Sequence, residues 1–389
     1  MKAECVLPEV AAVREDMVAL RRRLHAHPEL GFREHATSEL VAQCLSDWGY
    51  RVTRGLAGTG VVGTLARGAG RSLGLRADLD ALPIREATGL PHASRIEGVM
   101  HACGHDGHTA MLLTAARCLA GRARFDGTLH LIFQPAEEGL GGARKMIEDG
   151  LFERFPCDAV FAMHNVPGFP VGQLGFCSGP AMASADEVAI RVTGRGGHGA
   201  TPHKTVDPIV VCASIVMALQ SIVSRNVSAQ DAAIVTVGSI HAGAASNVIP
   251  PSAEMLLSVR ALTPDVRALL ERRIRETVHG QAASFGALAD IDYRHGYPVL
   301  VNHPDETAFA RQVALDWAGP GALIDDFGPH TASEDFAFML ERCPGSYLSI
   351  GNGEGAQGCA LHNPEYDFND DCLAFGASYW VMLAERFLR

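Results

Sequence analysis

The chain has 389 residues, of which 47% are hydrophobic and 20% are charged, so a disordered, collagen-like or coiled-coil architecture is excluded. Lys and Arg number 33 against 44 Asp and Glu, which gives a formal net charge of −11. An acidic chain argues against a nucleic acid or an anionic membrane surface as its partner. The length predicts two or three domains, or one large domain that carries an insertion.

Ten cysteines are scattered along the chain without a CxxC motif, and acidic residues interrupt the N-terminus before an apolar run develops. We therefore expect reduced thiols in a cytoplasmic protein; a secreted, disulfide-linked protein is the alternative. Two long uncharged or weakly charged stretches, Pro208–Ser224 and Ala232–Ala253, contain polar residues, Gly or Pro. We predict that both are core elements of a domain and that neither spans a membrane.

The first part of the chain alternates between helical periodicity and short apolar runs. Apolar residues from Val10 to Leu24 recur at spacings of three and four, and further helices are predicted over 36–48 and 107–119. Buried strands are predicted at Gly60–Ala66, Ser72–Ala77, Thr128–Phe133 and Ala159–Met163. This alternation is typical of an α/β layer fold.

A different order of elements begins near residue 185. The pattern predicts strands at 187–193, 233–240, 253–262 and 289–294, with helices at 207–224 and 264–284. The order β-α-β-β-α-β is that of a ferredoxin-like α+β module. Helices at 306–318, 334–341 and 371–388 and a strand at 346–350 then resume the α/β pattern. We predict a discontinuous domain of residues 1–184 and 297–389, interrupted by an inserted domain of residues 185–296.

Unusual polar clusters follow the predicted strands of the α/β domain. They are the segments Arg76–Asp80, Gln134–Glu138, His164-Asn165 and Leu361–Pro364. In open α/β sheets, sites form beyond the carboxyl ends of the strands, so we expect these four segments to converge.

The densest cluster is His101–His108, which contains three further candidate ligands: Cys103, His105 and Asp106. Thiolate, imidazole and carboxylate groups are the usual ligands of zinc and related divalent cations. We therefore predict a metal site here, together with Glu137-Glu138 and His164. The alternative is a polar loop that caps the following helix.

Glu137 and Glu138 end an apolar strand and are not part of a charged surface run. Adjacent side chains of an extended segment point in opposite directions, so one carboxylate can bind metal while the other acts as a base. The Gly-rich loop Gly194–His203 matches neither a dinucleotide-binding nor a phosphate-binding motif. Taken alone, that loop, Asn247 and Arg260 fit either a surface role or a binding role.

The motifs together resemble one family over nearly the full chain, from residue 20 to residue 370. They are RADLDALP, MHACGHDGHTAMLL, FQPAEEGLGGA, AMHN, GGHGATPH, SNVIP and SEDFAFML. This set resembles the M20 metallopeptidase clan, in particular its amidohydrolase branch of hippurate hydrolases, indole-acetyl-amino-acid hydrolases and N-acetyldiaminopimelate deacetylases. One departure is Ala332, where the family often has Gly before SEDF, and it concerns the shape of a loop.

The resemblance implies a zinc-peptidase-like catalytic domain and an inserted lid domain through which subunits associate. It also implies two divalent metal ions per subunit, which could be zinc, manganese, cobalt or nickel. The positions that match the family's metal ligands are Cys103, His105, Glu138, His164 and His362. Cys103 stands where related peptidases have an Asp that bridges the two ions.

The resemblance also assigns roles to five other residues. Glu137 matches the general base, and Asp78 matches an Asp that orients a metal ligand. His198 matches a lid residue that reaches the partner subunit's active site and stabilises an oxyanion. Asn247 and Arg260 match lid positions that hold the substrate carboxylate.

The implied reaction is hydrolysis of the amide bond of an N-acyl amino acid, a small-molecule substrate, to a carboxylic acid and a free amino acid. The implied assembly is a homodimer or homotetramer formed through the lid domain. Two alternatives stay open: a dipeptidase or aminopeptidase of the same clan, and a metal-dependent binding protein without turnover. The acyl group and the amino acid cannot be read from these motifs.

Overall fold

The computed structural model describes residues 5–121, 125–353 and 359–389. The chain divides into two units. The first consists of Met1–Gly179, Val301–Gly328 and Asp335–Arg389, and the second of Pro180–Leu300 and Pro329–Glu334. The limits predicted from the sequence, 185–296, lie a few residues inside the main segment of the second unit.

Helices and strands alternate along most of the described chain. The helices are α1 (Pro8–Ala11), α2 (Arg14–Ala26), α3 (His35–Asp47), α4 (His105–Gly121), α5 (Gly142–Glu148), α6 (Leu151–Arg154), α7 (Pro208–Asn226), α8 (Pro264–Ser284), α9 (Pro304–Ala318), α10 (Phe336–Leu340) and α11 (Asp371–Phe387). The strands are β1 (Arg51–Leu56), β2 (Gly60–Arg67), β3 (Ser72–Asp78), β4 (Gly127–Gln134), β5 (Ala159–Val166), β6 (Leu174–Gly175), β7 (Gly179–Met182), β8 (Ser184–Thr193), β9 (Gly197–His198), β10 (Ala233–Ala242), β11 (Val248–Ile249), β12 (Ser252–Ala261), β13 (Leu288–Tyr297), β14 (Leu300–Asn302) and β15 (Gly345–Gly351).

The first unit contains a seven-stranded sheet in the order β1-β2-β4-β3-β5-β15-β6. Its four central strands are parallel, whereas the strands at both sides pair antiparallel. The central strands are buried along nearly their whole length, with Leu75, Leu131, Phe161 and Leu348 fully buried, as expected of parallel strands covered on both faces. Because the central strands run the same way, their carboxyl ends lie along one edge of the sheet, as the polar clusters predicted.

Several local predictions needed correction. The first predicted helix is two helices, α1 and α2, and α4 begins at His105, two residues earlier than expected. His164 and Asn165 lie inside β5 and do not follow it. The edge strand β1 was not predicted, since its sequence contains two Arg and one Gly and only its last residue is buried.

The second unit is a four-stranded antiparallel sheet in the order β10-β12-β8-β13. This is the strand order of a ferredoxin-like module, so the predicted fold class is confirmed on this point. Helices α7 and α8 pack on one face of the sheet, where residues such as Val188, Leu257, Ile215 and Leu270 form a separate apolar core. Both helices begin with Pro in the first turn after a capping side chain, Asp207 or Thr263.

Among the described helices, α7 is long and apolar enough, by length and composition, to cross a membrane. Only one face of it is buried, through residues that include Val211, Ile215 and Leu219. Ile209, Val210 and Met217 on its other face are exposed. The uncharged stretch predicted at Pro208–Ser224 is therefore a helix that packs on the sheet with one side only.

Candidate active site

The five predicted metal ligands come from four segments at the carboxyl edge of the seven-stranded sheet. Cys103 and His105 lie at the start of α4, Glu138 follows β4, and His164 lies near the end of β5. His362 lies in the segment before α11, with a left-handed φ of 63°. This region of φ is unusual for a residue with a side chain, but His adopts it more readily than most.

The ligand atoms form two groups that share one thiol. Cys103 lies with His105 and His164 in the first group and with Glu138 and His362 in the second. The Sγ atom of Cys103 is 3.3 Å from Nε2 of His164. Oε1 of Glu138 is 3.2 Å from Nε2 of His362 and 4.0 Å from Nε2 of His105. Cys103 thus offers its sulfur atom as a potential ligand to both groups.

In two of the histidines, a neighbouring carbonyl group determines which ring nitrogen carries the hydrogen. Nδ1 of His105 donates to the carbonyl oxygen of Asp80 at 2.9 Å, and Nδ1 of His164 donates to that of Asn165 at 2.7 Å. In its neutral form each ring therefore presents Nε2 to the cluster as a lone pair. Nε2 of His105 is buried and has no hydrogen-bond partner among the described residues. A buried nitrogen in this state fits a metal ligand, so the donor set fits divalent cations.

The pKa shifts in the cluster show which ligands would lose a proton to a bound cation. Burial raises the pKa of the Cys103 thiol. Hydrogen bonds to Cys103 and Glu138 raise the pKa of His362 to about 10. Burial and the neighbouring His108 ring hold the pKa of His164 well below its usual range, so this ring is neutral. Although burial opposes this, Asp78 and Cys103 raise the pKa of His105 well above its usual range. Since thiolate and neutral imidazole are the ligand forms, a bound cation would replace the protons of Cys103, His105 and His362.

Asp80 is the residue that the sequence reasoning missed. Its carbonyl oxygen accepts from His105, and its Oδ2 accepts from the backbone N–H of Glu138 at 3.0 Å. It therefore fixes one ligand from each group. Its position in the RADLDALP motif, two residues after Asp78, was the available signal.

The resemblance implied that Asp78 orients a metal ligand. In the structure Asp78 makes no hydrogen bond to any of the five predicted ligands. Its Oδ1 is 2.6 Å from Nδ1 of His108, and its Oδ2 accepts from Arg76 at 2.8 Å, whereas the nearest ligand nitrogen, Nε2 of His105, is 3.9 Å away. Although burial opposes ionisation, His105, His108 and Arg76 hold the pKa of Asp78 well below its usual range. The other nitrogen of His108 lies 2.7 Å from Oδ1 of Asn165.

Glu137 lies beside the cluster. A carboxylate oxygen of Glu137 is within 4.8 Å of ligand atoms of His105 and Glu138, and the side chain is nearly buried. The segment is a turn and not the extended chain assumed in the sequence reasoning, because Ala136 has a left-handed φ of 55°. Within this turn both carboxylates reach the cluster.

His101 and Asp106 from the densest sequence cluster lie outside the two groups that share Cys103. Burial lowers the pKa of His101 to about 4. Oδ2 of Asp106 accepts from Nε of Arg21 at 2.8 Å, with both side chains fully buried. The high density of polar residues in this segment therefore has two causes, the ligand cluster and a buried ion pair behind it.

The three remaining predicted residues lie in the second unit. His198 is on β9, which pairs with β11 through His198 and Val248, and the N–H of Gly199 donates to the carbonyl oxygen of Asn247 at 2.8 Å. This short ribbon brings His198 and Asn247 together. Arg260, on β12, donates to Oγ of Ser333 at 2.9 Å.

A backbone hydrogen bond also determines which ring nitrogen of His198 carries the proton. The N–H of Ala200 donates to Nδ1 of His198 at 3.0 Å. A ring that accepts at Nδ1 carries its proton at Nε2, so His198 presents an exposed N–H donor.

Comparison with known proteins gives the family of the chain. Residues 74–386 match the model of peptidase family M20/M25/M40. A hippurate hydrolase of Campylobacter jejuni is 45% identical over 99% of this chain and 100% of that protein. An N-acetyl-L-cysteine deacetylase of Bacillus subtilis is 38% identical over 98% of this chain and 90% of its own length.

A solved structure is also similar over the whole fold. It is a protein of Bacillus subtilis described as a dinuclear metal-binding peptidase of the M20 family. Its TM-score is 0.85 with 34% identity, over 97% of this chain and 99% of that one. The family match covers most of the chain, and the hippurate hydrolase matches it from end to end, so this protein belongs to peptidase family M20/M25/M40.

Proposed function

We propose that this protein is a metal-dependent amidohydrolase that cleaves N-acyl amino acids to a carboxylic acid and a free amino acid. The observation that carries the proposal is the pair of ligand groups that share Cys103, with the carboxylate of Glu137 beside them. The end-to-end similarity to a hippurate hydrolase supports the substrate class.

Two divalent cations would be held by Cys103, His105, His164, Glu138 and His362. Such cations lower the pKa of water and polarise an amide carbonyl group. The ligand set contains one thiolate and three imidazoles, which suits zinc; manganese, cobalt and nickel are the alternatives. The similar peptidase of known structure supports the count of two ions.

Glu137 is the proposed general base. Its carboxylate takes a proton from the attacking water and passes it to the nitrogen of the leaving amino acid, so one group serves both proton transfers. The turn supports this role because Glu138, the next residue, is a proposed ligand, and its backbone N–H is held by Asp80. Near-burial of Glu137 limits its exchange with bulk solvent.

His198 is the proposed donor to the oxyanion that forms on the acyl carbon. The hydrogen bond from Ala200 supports this role because it leaves the proton on Nε2. Asn247 and Arg260 are the proposed partners of the substrate carboxylate, since an amide and a guanidinium both donate to carboxylate oxygens.

We also propose that the second unit joins two copies of the chain, in a dimer or in a tetramer built from dimers. Met217 on α7 is 73% exposed and Val210 is 51% exposed, although α7 is strongly apolar. Strand β10 is at the edge of its sheet, with its backbone available for pairing. In such a dimer His198 would serve the partner subunit's active site.

Amino-acid release tests the function. We would measure glycine release from N-benzoylglycine and amino-acid release from N-acetyl amino acids, with metal-depleted and metal-restored protein side by side. Release that requires restored metal is the expected result. Release that is insensitive to metal would contradict the proposal, and the order of rates would rank the acyl groups.

A dipeptidase or aminopeptidase of the same family is the second candidate, because the fold and the ligand set are compatible with either substrate. Cleavage of free dipeptides together with resistance of N-blocked substrates would select it. A metal-dependent binding protein without turnover is the third, and the buried Glu137 beside the ligands disfavours it. A cytoplasmic location is proposed from the ten free thiols.

A further inference from the structure

The turn that carries Glu137 is held in an unusual backbone conformation. Ala136 has a φ of 55°, a region that residues with a Cβ rarely adopt, and its side chain is fully buried. At the other end of the turn, the N–H of Gly142 donates to the carbonyl oxygen of Ala136 at 3.0 Å. A Cβ at Gly142 would lie 1.7 Å from the carbonyl oxygen of Pro135, so only Gly fits there.

A second buried carboxylate, that of Glu34, contacts this turn directly. Oε1 of Glu34 accepts from the backbone N–H of Ala136 at 2.9 Å. Oε2 of Glu34 accepts from the hydroxyl group of Thr59 at 2.6 Å. The side chain is fully buried immediately before α3. Burial raises the pKa of Glu34, and the hydrogen bonds from Thr59 and Ala136 oppose that rise.

Glu137 is therefore flanked by two backbone N–H groups that buried carboxylates bind. Glu34 binds the N–H of the preceding residue, Ala136, and Asp80 binds the N–H of the following residue, Glu138. The two carboxylates come from segments that are distant in sequence. The contacts with Glu34 and Asp80 thus hold the peptide group before Ala136 and the peptide group after Glu137, and the N–H of Gly142 holds the peptide group between these two residues through the carbonyl oxygen of Ala136. The direction of the Glu137 side chain depends on these peptide groups.

We propose that Glu34 is a positioning residue for Glu137: it holds Ala136 in its left-handed conformation and so directs the carboxylate of Glu137 to the reacting water. This inference rests on the proposed role of Glu137 as the base. The alternative is that Glu34 only stabilises the fold, as a polar group satisfied within the core.

Four variants separate the two roles. Glu34→Ala removes the acceptor for Ala136. Glu34→Asp keeps the charge but shortens the side chain, so that its oxygen no longer reaches the N–H. Glu34→Gln retains an acceptor oxygen of the same reach. Thr59→Val is the matched control, because it removes the hydrogen bond on the other oxygen of Glu34 and leaves the contact with Ala136.

The expected result is a fall in kcat of about 10–100-fold for Glu34→Ala and Glu34→Asp, since a misplacement of about 1 Å can cost that much. We expect KM and metal content to stay near the wild-type values, because Asp80 still holds Glu138. Glu34→Gln should recover most of kcat. Thr59→Val should lower the unfolding midpoint without lowering kcat.

Equal losses of kcat in Thr59→Val and Glu34→Asp would overturn the proposal in favour of a role in folding alone. If Glu34→Ala does not fold, Glu34→Asp decides, and an unchanged kcat there contradicts the proposal. Hydrogen exchange of the amides of residues 136–142 gives a readout without substrate: it should rise in Glu34→Asp and not in Thr59→Val. If the wild-type protein hydrolyses no amide, the proposed function fails, and unchanged exchange would separately refute the positioning of the turn by Glu34.

Discussion

Arg21 donates from Nε to Oδ2 of Asp106 at 2.8 Å, and both side chains are fully buried behind the ligand cluster. Arg21 also contacts Asp367 at 2.5 Å and Asp370 at 3.5 Å. Although burial opposes ionisation, Arg21 and His25 hold the pKa of Asp106 well below its usual range. One guanidinium thus joins the helix that begins with His105 to the segment that follows His362.

Replacing Arg21 should destabilise the fold strongly. Arg21→Met would remove the buried cation that three carboxylates share, and we expect a loss of about 3–5 kcal/mol in the free energy of unfolding. Arg22→Met is the matched control, because Arg22 also contacts Asp370 but is half exposed, and it should cost about 1 kcal/mol or less. Urea unfolding of both variants measures the difference, and equal losses would argue against a special role for the buried guanidinium.

The two ligand groups predict different metal contents for two variants. Cys103→Ala removes the donor that both groups share, so we expect weakened binding of both ions. His362→Ala affects only the group that contains Glu138, so about one ion per subunit should remain after dialysis. Metal analysis by atomic emission tests this. Unchanged occupancy in Cys103→Ala would remove this thiol from the proposed ligands.

Glu137→Gln should separate metal binding from turnover. The amide keeps the size of the side chain but cannot accept a proton, so we expect kcat to fall by about 10²–10⁴-fold while metal content is retained. Glu148→Gln serves as the control, because Glu148 is an exposed acidic residue on nearby α5, and this variant should keep full activity. Retention of more than a few per cent of turnover in Glu137→Gln would contradict its assignment as the base.

His198 and Glu137 variants should complement each other if the proposed dimer exists. His198→Ala is expected to lose about 10²–10³-fold in kcat through the missing oxyanion donor. Mixed with Glu137→Gln, it should form hybrid dimers in which one active site has both groups intact, and activity should return. Subunit exchange must be shown in parallel by a mass-labelled copy. Exchange without recovered activity would argue that His198 acts within its own subunit.

His130 should make the stability of the protein depend on pH. Burial, with a contribution from Arg51, lowers the pKa of His130 to about 4, and its Nδ1 is 3.0 Å from Oγ1 of Thr64. The unfolded chain binds this proton near pH 6.5, so the stabilisation is present above pH 6.5 and is lost as the pH falls towards 4. The loss should reach about 3 kcal/mol.

His130→Gln should flatten that pH dependence, because the amide is neutral throughout and can still bond to Thr64. His35→Gln, at the exposed first position of α3, is the control and should leave the slope unchanged. Urea unfolding from pH 7 to pH 4 gives the comparison. The same slope in His130→Gln and in the wild-type protein would show that another group is responsible.

The sequence by itself determined the class of fold and most of the candidate site. Short apolar runs of Leu, Val and Phe predict buried parallel strands, and polar residues placed after such runs predict convergence at one edge. Cys103, His105 and the pair Glu137-Glu138 could be proposed on this basis, because residue type, local spacing and position after a strand are properties of the sequence alone. The family resemblance then assigned the ligand role to Glu138.

Tertiary structure decided which groups hold those residues in place. Glu34 lies 102 residues from Ala136, and Asp80 lies 58 residues from Glu138. No periodicity of the sequence links residues so far apart. Residue type alone also does not show whether a given Glu or Asp side chain is buried or exposed. The left-handed turn at Ala136 was missed for the same reason: its conformation depends on hydrogen bonds to distant segments, and the local preference of Ala opposes it.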